Sequence, residues 1–275
     1  MLLLLKEWVL ARVIAITNQK GGVGKTTTAV NLAASLAAIK QRIVLIDLDP
    51  QGSTTVGCGV DKDCLEYSIN DVLIDQIDLK KAMHTECWGF DLLPANANLS
   101  VAELRLMQLD KRDLRLKNAL EPILDHYDYV LIDCPPALNM LAINALCAAD
   151  TVLVPLQCEY FALEGLSSLM NNIERIRRLS NPKLKIEGLL RTMYDGRNRL
   201  TVDVSEELLS HFSDKVYQTV IPRNVRLAEA PSHGMPALHY DKHSQGAVAY
   251  LALAAEMVRR SKQVQQYGLS QEEAV

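Results

Sequence analysis

The 275-residue chain lacks the features that mark several classes of protein. Its six cysteines form no C-x-x-C pair and show no zinc-type spacing, so neither a dithiol redox motif nor a zinc module is expected. No apolar run reaches the length of a membrane span. The chain also has no internal repeat and no low-complexity linker, which argues against a solenoid and favours a single domain.

An excess of positive charge is also missing. The net charge is −4, so any contact with nucleic acid must depend on a local basic patch. Nearly half of the residues are hydrophobic, which is enough for a sizeable core. Cys134, Cys147 and Cys158 stand in apolar surroundings, where we expect buried free thiols in a reducing cytoplasm.

The N-terminal stretch MLLLLKEWVLA does not fit a signal peptide. Its apolar run is short, no basic segment precedes it, and Lys6 and Glu7 interrupt it. We therefore expect residues 1–11 to be an extension without an assigned function, residues 12–262 to form one domain, and residues 263–275 to be a frayed tail. The segment before the first predicted strand is too short for a helix-turn-helix, so operator-specific DNA binding is not expected.

Residues 18–28, NQKGGVGKTTT, are the most informative stretch of the chain. A β-branched run at 12–17 predicts a buried strand before it, and an Ala- and Leu-rich run at 26–39 predicts a helix after it. A strand, a glycine-rich loop, Lys-Thr and a helix form the context of a phosphate-binding loop. The glycines let backbone N–H groups face phosphate oxygens, and the positive end of the helix dipole adds attraction.

This loop supplies most of the predicted nucleotide contacts. Lys25 is expected to reach the β- and γ-phosphates of a nucleotide, and Thr26 to offer its hydroxyl to Mg²⁺. The predicted contacts within the loop are Lys20, Gly21, Gly22, Val23, Gly24, Lys25, Thr26 and Thr27.

Three aspartates follow predicted strands. The apolar run at 42–47 leads into D-x-D-P-Q-G with Asp47 and Asp49, and the run at 129–133 ends in Asp133 before Cys-Pro-Pro. The second pattern is typical of a Walker B strand, whose aspartate holds Mg²⁺ through water. Asp47 and Asp49 are placed for metal-linked water or for the attacking water, although a helix-cap or turn role is the plainer alternative for each.

The remaining patterns alternate between strands and helices. Further strands are predicted at 90–93, 151–155, 185–191 and 216–221, helices at 68–74, 99–107, 112–124, 139–148, 161–179, 202–212 and 244–262, and a loop at 53–63. This order predicts an α/β fold of the P-loop NTPase type, with a mostly parallel central sheet and helices on both faces.

Six motifs resemble those of the ParA/Soj family of chromosome- and plasmid-partitioning ATPases, which belongs to the deviant Walker A group. They are KGGVGKTT, DLDPQG, DCPP, QCEYFALEG, TMYDGR and IPRNVRLAEAPSHGMP, and they extend over most of residues 12–262. The general loop pattern G-x-x-x-x-G-K-[ST] has glycine where this chain has Gln19, and Lys20 is an additional cation. The resemblance implies that Lys20 reaches the nucleotide of a dimer partner and that Asp49 serves hydrolysis.

The resemblance also implies positions farther along the chain. Pro222 and Asn224 would lie by the adenine ring, and Tyr160 and Glu164 near a dimer face. The implied activity is slow ATP hydrolysis with Mg²⁺ by a homodimer that forms with ATP. That dimer would bind double-stranded DNA without sequence preference, and a ParB-type centromere-binding protein would stimulate hydrolysis and release. The implied location is the cytoplasm, on the nucleoid, with no membrane partner.

Four arginines are candidates for the DNA contact. Arg197 and Arg199 follow one predicted strand, and Arg223 and Arg226 follow another, within residues 181–275, whose net charge is +1 against −5 for the first 180 residues. The resemblance implies the role for Arg197 and Arg226. No aromatic or Asn/Gln cluster accompanies them, which favours phosphate contact over base reading, with solvated arginines as the plainer alternative. Arg191 and Arg199 depart from the family pattern and are expected to add positive charge there.

Other functions on the same fold have less support. A MinD-like membrane-surface ATPase needs a terminal basic amphipathic helix, whereas this chain ends with Glu272, Glu273 and two small residues. An iron–sulfur reductase needs cluster cysteines at set positions, and no matching pattern is present. A small-molecule amide ligase does not need the IPRNVRLAEAP motif. All of these alternatives would use the same phosphate loop, so residues outside that loop must distinguish them.

Overall fold

The computed structural model describes residues 10–272, so most of the expected extension 1–11 and the end of the expected tail lie outside the described residues. The strands are β1 Arg12–Ile16, β2 Ile43–Asp47, β3 His84–Cys87, β4 Phe90–Leu93, β5 Tyr129–Asp133, β6 Thr151–Gln157 and β7 Lys185–Thr192. They form one sheet in the order β3-β4-β2-β5-β1-β6-β7. Every neighbouring pair is parallel except β3 and β4.

Helices connect and cover the strands. The α-helices are α1 Lys25–Ala38, α2 Ser53–Gly57, α3 Ile69–Asp75, α4 Leu79–Ala82, α5 Leu99–Leu106, α6 Arg115–Leu120, α7 Met140–Ala148, α8 Ala162–Leu179, α9 Arg199–Phe212, α10 Val225–Glu229, α11 Ala237–Tyr240 and α12 Gln245–Glu272. Short 3₁₀ helices span Arg112–Leu114, Glu121–Ile123 and Ala230–His233. In the described part of the chain, no helix is both long and apolar enough to cross a membrane.

Alternate residues of the central strands enter two separate cores. In β1, Val13 and Ala15 pack with α3 and α5 to α9, whereas Ile14 and Ile16 pack with α1 and α10 to α12. This explains why the central strands are apolar at every position, since both faces of a parallel sheet are covered. The predicted α/β P-loop architecture is confirmed. Cys134, Cys147 and Cys158 are buried and free, as expected, and Cys58 joins them.

Several predicted boundaries were wrong for identifiable reasons. The segment 53–63, predicted as a loop, begins with α2, which is held by side-chain hydrogen bonds of its threonines. The helix predicted at 112–124 is broken into 3₁₀, α and 3₁₀ turns, the last of them containing Pro122. The strand predicted at 216–221 makes a single isolated bridge to β7, from Val216 to Leu189, and a second bridge joins Pro222 to Tyr194 just beyond both segments. The antiparallel edge strand β3, with three exposed residues, was not predicted.

The end of the chain also differs from the prediction. Helix α12 continues to Glu272, ten residues beyond its predicted end, through a segment without proline. The domain boundary at residue 262 therefore stays a prediction.

The register of the three central strands brings the predicted site together. Ile16, the last residue of β1, is aligned with Asp133 of β5, and Asp133 is aligned with Asp47 of β2. The phosphate loop after β1 therefore lies directly beside the two aspartates. This is the edge of a parallel sheet, at the carboxyl ends of the strands, where α/β proteins bind ligands.

Candidate nucleotide site

The loop between β1 and α1 turns tightly enough to enclose its second lysine. Gly22 and Gly24 have φ of 73° and 86°, a left-handed conformation that favours glycine, and Gly24 caps the start of α1. The ammonium of Lys25 lies 3.2 Å from the carbonyl oxygen of Lys20, so the loop curls around it. Burial lowers the pKa of Lys25, while Asp133, Cys134 and Asp49 oppose that shift. The site therefore presents a buried cation beside an N-terminal helix end, which suits a polyphosphate.

Asp133 is the best placed metal candidate. Its Oδ2 accepts hydrogen bonds from the hydroxyls of Thr26 at 2.8 Å and Thr54 at 2.7 Å. Its Oδ1 is buried and has no hydrogen-bond partner among the described residues. Burial, with a smaller contribution from Asp47, raises the pKa of Asp133 to about 7. An unpartnered carboxylate oxygen next to a threonine hydroxyl fits a hydrated Mg²⁺ shared with the phosphates of a nucleotide.

Asp47 is occupied differently. Its Oδ2 accepts hydrogen bonds from the N–H and the hydroxyl of Thr55, both at 2.8 Å, and its Oδ1 accepts one from the N–H of Asp49 at 3.2 Å. Burial raises the pKa of Asp47 to about 6. Because both oxygens are engaged, we propose that Asp47 positions α2 and that Asp133 is the metal-shell carboxylate.

Asp49 lies at the mouth of the site and is half-buried. Its Oδ1 accepts a hydrogen bond from the N–H of Gln51 at 2.9 Å, a turn contact, so the plainer alternative for this residue is present in the structure. The other oxygen is not used in that contact. Asp49 therefore combines a turn role with an accessible carboxylate, and its function in hydrolysis stays a prediction.

A cavity of about 400 Å³ adjoins the loop where a nucleotide base would lie. It is lined by Gly24, Thr27, Thr192, Met193, Ile221, Pro222, Arg223, Asn224, Val225, Leu227, Ala228 and Tyr250. Both predicted adenine residues therefore face it. The Oδ1 atom of Asn224 is buried without a hydrogen-bond partner within the described residues. An amide oxygen of this kind matches the exocyclic amino group of adenine.

Lys20 does not enter its own loop. Its ammonium forms an ion pair of 2.5 Å with Glu159, and both side chains are almost half exposed. Next to Glu159, Tyr160 and Phe161 form an edge-to-face pair with 75% and 66% of their surface exposed. Glu164 is also exposed, on the first turn of α8. An exposed aromatic pair beside an exposed lysine is a feature that a protein partner would cover.

The four candidate arginines are exposed, but two of them are tightly paired. Arg197 makes a bidentate contact with Asp195, in which Nε and Nη2 donate to the two carboxylate oxygens at 2.9 and 2.8 Å. Arg226 lies 2.8 Å from Glu229 and 3.4 Å from Asp241. The other two are less constrained. The guanidinium of Arg199 lies as far as 3.9 Å from the carboxylate of Asp203, and no described carboxylate forms an ion pair with Arg223.

Arg191 does not belong to this surface, contrary to expectation. Its guanidinium is buried and donates to the hydroxyl of Ser205 and to the carbonyl oxygens of Tyr217 and Gln218. The residue ties β7 to α9 and to the segment after it. It adds no positive charge to the surface.

Three threonines that sequence reasoning did not assign complete the site. Thr54 and Thr55 hold Asp133 and Asp47, and the hydroxyl of Thr192 lies 2.8 Å from the carbonyl oxygen of Val23 in the loop. The available signal was the pair of threonines that follows the D-x-D-P-Q-G motif after one serine.

Comparisons with known proteins agree with this geometry. A family model described as an AAA domain matches residues 11–186. The Soj sporulation initiation inhibitor of Bacillus subtilis is 52% identical over 90% of this chain and 98% of its own length. The chromosome-partitioning protein ParA of Caulobacter vibrioides is also 52% identical, over 91% of this chain and 95% of its own length. The chain belongs to the ParA/Soj family of partitioning ATPases. A Pseudomonas putida protein described as uncharacterized is 63% identical over 92% of this chain and 97% of its own length.

Solved structures extend the comparison. Cobyrinic acid a,c-diamide synthase from Mycobacterium smegmatis, with a bound ATP analogue and magnesium, is 37% identical with a TM-score of 0.81, over 92% of this ParA/Soj family member and 96% of that chain. The cell-division ATPase MinD of Pyrococcus furiosus is 25% identical with a TM-score of 0.75, over 91% of this chain and 99% of that chain. The chain is thus a P-loop ATPase.

Proposed function

We propose that this partitioning ATPase forms a homodimer when ATP and Mg²⁺ are bound, that the dimer binds double-stranded DNA without sequence preference, and that a ParB-type partner stimulates hydrolysis and release from the nucleoid. The observation that carries the proposal is the different placement of the two loop lysines. Lys25 is enclosed by the loop, whereas Lys20 points outward beside exposed aromatic side chains. One triphosphate needs one enclosed lysine, so the second is available to a neighbouring site.

The roles of the residues follow from their positions. Lys25 and the loop backbone hold the β- and γ-phosphates, Thr26 and Asp133 hold Mg²⁺ through its water shell, and Pro222 and Asn224 bind the adenine. Bound Mg²⁺ neutralises the charge that develops on the phosphates. Asp49 positions the attacking water. Lys20 reaches the phosphates of the partner subunit, and the arginines at the carboxyl edge of the sheet meet DNA phosphates.

The proposal is tested by DNA binding in three nucleotide states. Retention of two duplexes of unrelated sequence should be strong with ATP and Mg²⁺ and weak with ADP or with no nucleotide. Asp49→Ala should accumulate on both duplexes with ATP, because it binds ATP without completing hydrolysis. Lys25→Ala should bind neither ATP nor DNA. DNA retention that ignores the nucleotide, or none in any state, would refute the proposal.

Amide ligation is the second candidate, because of the 37% identity to the diamide synthase. An amide ligase spends ATP only when a carboxylic acid and an amine donor are present. Hydrolysis that responds to cobyrinic acid and glutamine, and not to DNA with a ParB-type partner, would favour it. The partitioning function ranks first because a relative named as a chromosome-partitioning protein is 52% identical, against 37% for the diamide synthase.

A further inference from the structure

A second cavity, of about 650 Å³, lies among the end of α3, helix α4, the turn before α6 and the 3₁₀ turn after it. It shares no lining residue with the cavity beside the phosphate loop. Its floor is apolar, because Val72, Leu79 and Ile123 are buried there. A space of this size suits a small organic molecule.

The walls of this cavity carry cations without partners. Arg115 is half-buried and Lys111 and Lys80 are exposed at its rim, and none of their side-chain nitrogens has a hydrogen bond or ion pair with a residue that the structure describes. The Nη1 atom of Arg115 is buried and unpartnered. Two acidic residues, Asp78 and Asp110, also line the cavity, and one oxygen of Asp78 accepts the N–H of Lys80. A buried guanidinium nitrogen without an acceptor is costly, and an anion in the cavity would supply that acceptor.

Backbone strain is present at two lining residues. Gln76 and Lys111 have φ of 55° and 49°, in the left-handed region, although neither is glycine, asparagine or aspartate. Gln76 ends α3, where a left-handed residue is a common helix ending, so the conformation that needs another explanation is that of Lys111. Lys111 combines the strained backbone with one of the unpartnered cations.

We infer that this cavity binds a small phosphate ester that carries a compact apolar group. The phosphate accepts hydrogen bonds from Arg115 and neutralises it together with Lys111 and Lys80, and the apolar group rests on the floor made by Val72, Leu79 and Ile123. Arginine suits this task because its fork of N–H groups matches tetrahedral phosphate. The inference does not rest on the proposed function, since the two cavities share no residue.

Phenylphosphonate is the probe, titrated calorimetrically against the full chain with saturating ADP and Mg²⁺ so that the nucleotide site is filled. The wild type should bind it more tightly than inorganic phosphate or benzyl alcohol, which each carry one half of the recognised chemistry. Arg115→Met should weaken binding about tenfold or more. Lys117→Met, an exposed lysine on the same helix outside the cavity lining, is the matched control and should bind as the wild type does.

Stability separates binding from folding. Without probe, Arg115→Met should melt at the wild-type temperature or above it, because it removes an unsatisfied buried donor. Lys111→Gly should also melt higher, since glycine relieves the left-handed strain, and yet bind the probe more weakly. Absence of binding to the wild type, wild-type affinity in both variants, or an equal loss in Lys117→Met would overturn the inference.

Discussion

Lys20 and Glu159 illustrate what a single ion pair can control. The pair joins two side chains of one subunit, so the proposed reach of Lys20 to a partner's nucleotide would require this pair to break. Both groups are almost half exposed, so the pair is worth at most about 1 kcal/mol. That corresponds to roughly fivefold for each subunit, and to roughly 30-fold in a monomer–dimer equilibrium in which both subunits break the pair.

We therefore predict that Glu159→Gln strengthens ATP-dependent dimerisation by up to roughly 30-fold, because it releases Lys20 in both subunits. Sedimentation velocity with a non-hydrolysable ATP analogue measures the shift. Glu174→Gln is the matched control, since Glu174 pairs with Arg177 and Arg178 on the exposed face of α8. A weaker dimer in Glu159→Gln would mean that this carboxylate stabilises the interface instead.

Asp133 makes stability depend on pH in a direction opposite to that of a surface carboxylate. Its pKa of about 7 lies above the ordinary value of 3.8, so between these two values the folded chain binds more protons than the unfolded chain. The free energy of unfolding of the nucleotide-free protein should therefore fall as the pH rises through this range. The stabilising contribution of protonated Asp133 is complete below pH 3.8 and is lost above about pH 7.

Asp133→Asn tests this, because the amide keeps an oxygen for the Thr26 and Thr54 hydroxyls and carries no charge. At pH 8 we expect the variant to be more stable than the wild type, on the order of 1–3 kcal/mol, and at pH 5 the gap should close. It should also lose the Mg²⁺-dependent part of ATP binding. Urea unfolding at both pH values measures the first effect, with the exposed Asp214→Asn as control. A stability difference between the variant and the wild type that is the same at pH 5 and pH 8 would argue against a raised pKa of Asp133.

At the scale of elements, helix α10 frames the base cavity and is held in place by a close contact. Gly246, on the first turn of α12, is buried, and a methyl group there would lie 2.5 Å from Cγ of Leu227 in α10. Leu227 and Asn224, which precedes α10, both line the cavity. The absence of a side chain at Gly246 therefore sets how close the two helices approach.

Gly246→Ala should push α10 into the base cavity. We expect a loss of stability of about 1–3 kcal/mol from overpacking, together with weaker binding of ATP. Gly165→Ala on α8 is the control, because a methyl group there meets nothing within 4 Å. Fluorescent ATP titration distinguishes the two variants. Unchanged affinity in Gly246→Ala would mean that α10 does not set the shape of the base site.

Strands buried on both faces and helices with a clear apolar stripe, such as α8, were the elements that sequence could predict. The central strands are apolar throughout because two layers of helices cover them, and Asn139 and Ser68 mark helix starts that the structure retains. The missed elements depend on tertiary contacts. Helix α2 is short and polar, and it forms where Thr55 binds the buried carboxylate of Asp47. Arg191 looked like surface charge because its acceptors are carbonyl oxygens supplied by distant residues.

At the scale of the whole molecule, Gly21 separates folding from association. A Cβ atom added at Gly21 would meet nothing within 4 Å among the described residues, so we expect the single chain to accept a branched residue there. Gly21→Val should bind ATP nearly as the wild type does and fail to form the ATP-dependent dimer. Light scattering with and without ATP gives the mass. A normal dimer would place the interface away from the phosphate loop.

The exposed arginines at the carboxyl edge of the sheet give the last prediction. Asp195 engages Arg197, and Glu229 and Asp241 engage Arg226, so in the proposed complex DNA phosphates would compete with these carboxylates. Asp195→Asn frees Arg197 and should raise DNA affinity.

Arg226→Glu should lower DNA affinity equally for unrelated sequences and keep ATP-dependent dimerisation. Because a dimer doubles each contact, the slope of log affinity against log salt should shrink by roughly one to two. Nitrocellulose filter binding over a salt series measures Asp195→Asn and Arg226→Glu. Arg177→Glu, in the last turn of α8, is the matched control. Wild-type retention by Arg197→Ala/Arg226→Glu at physiological salt would move the DNA contact to another surface. A loss for one duplex alone would indicate base reading rather than phosphate contact.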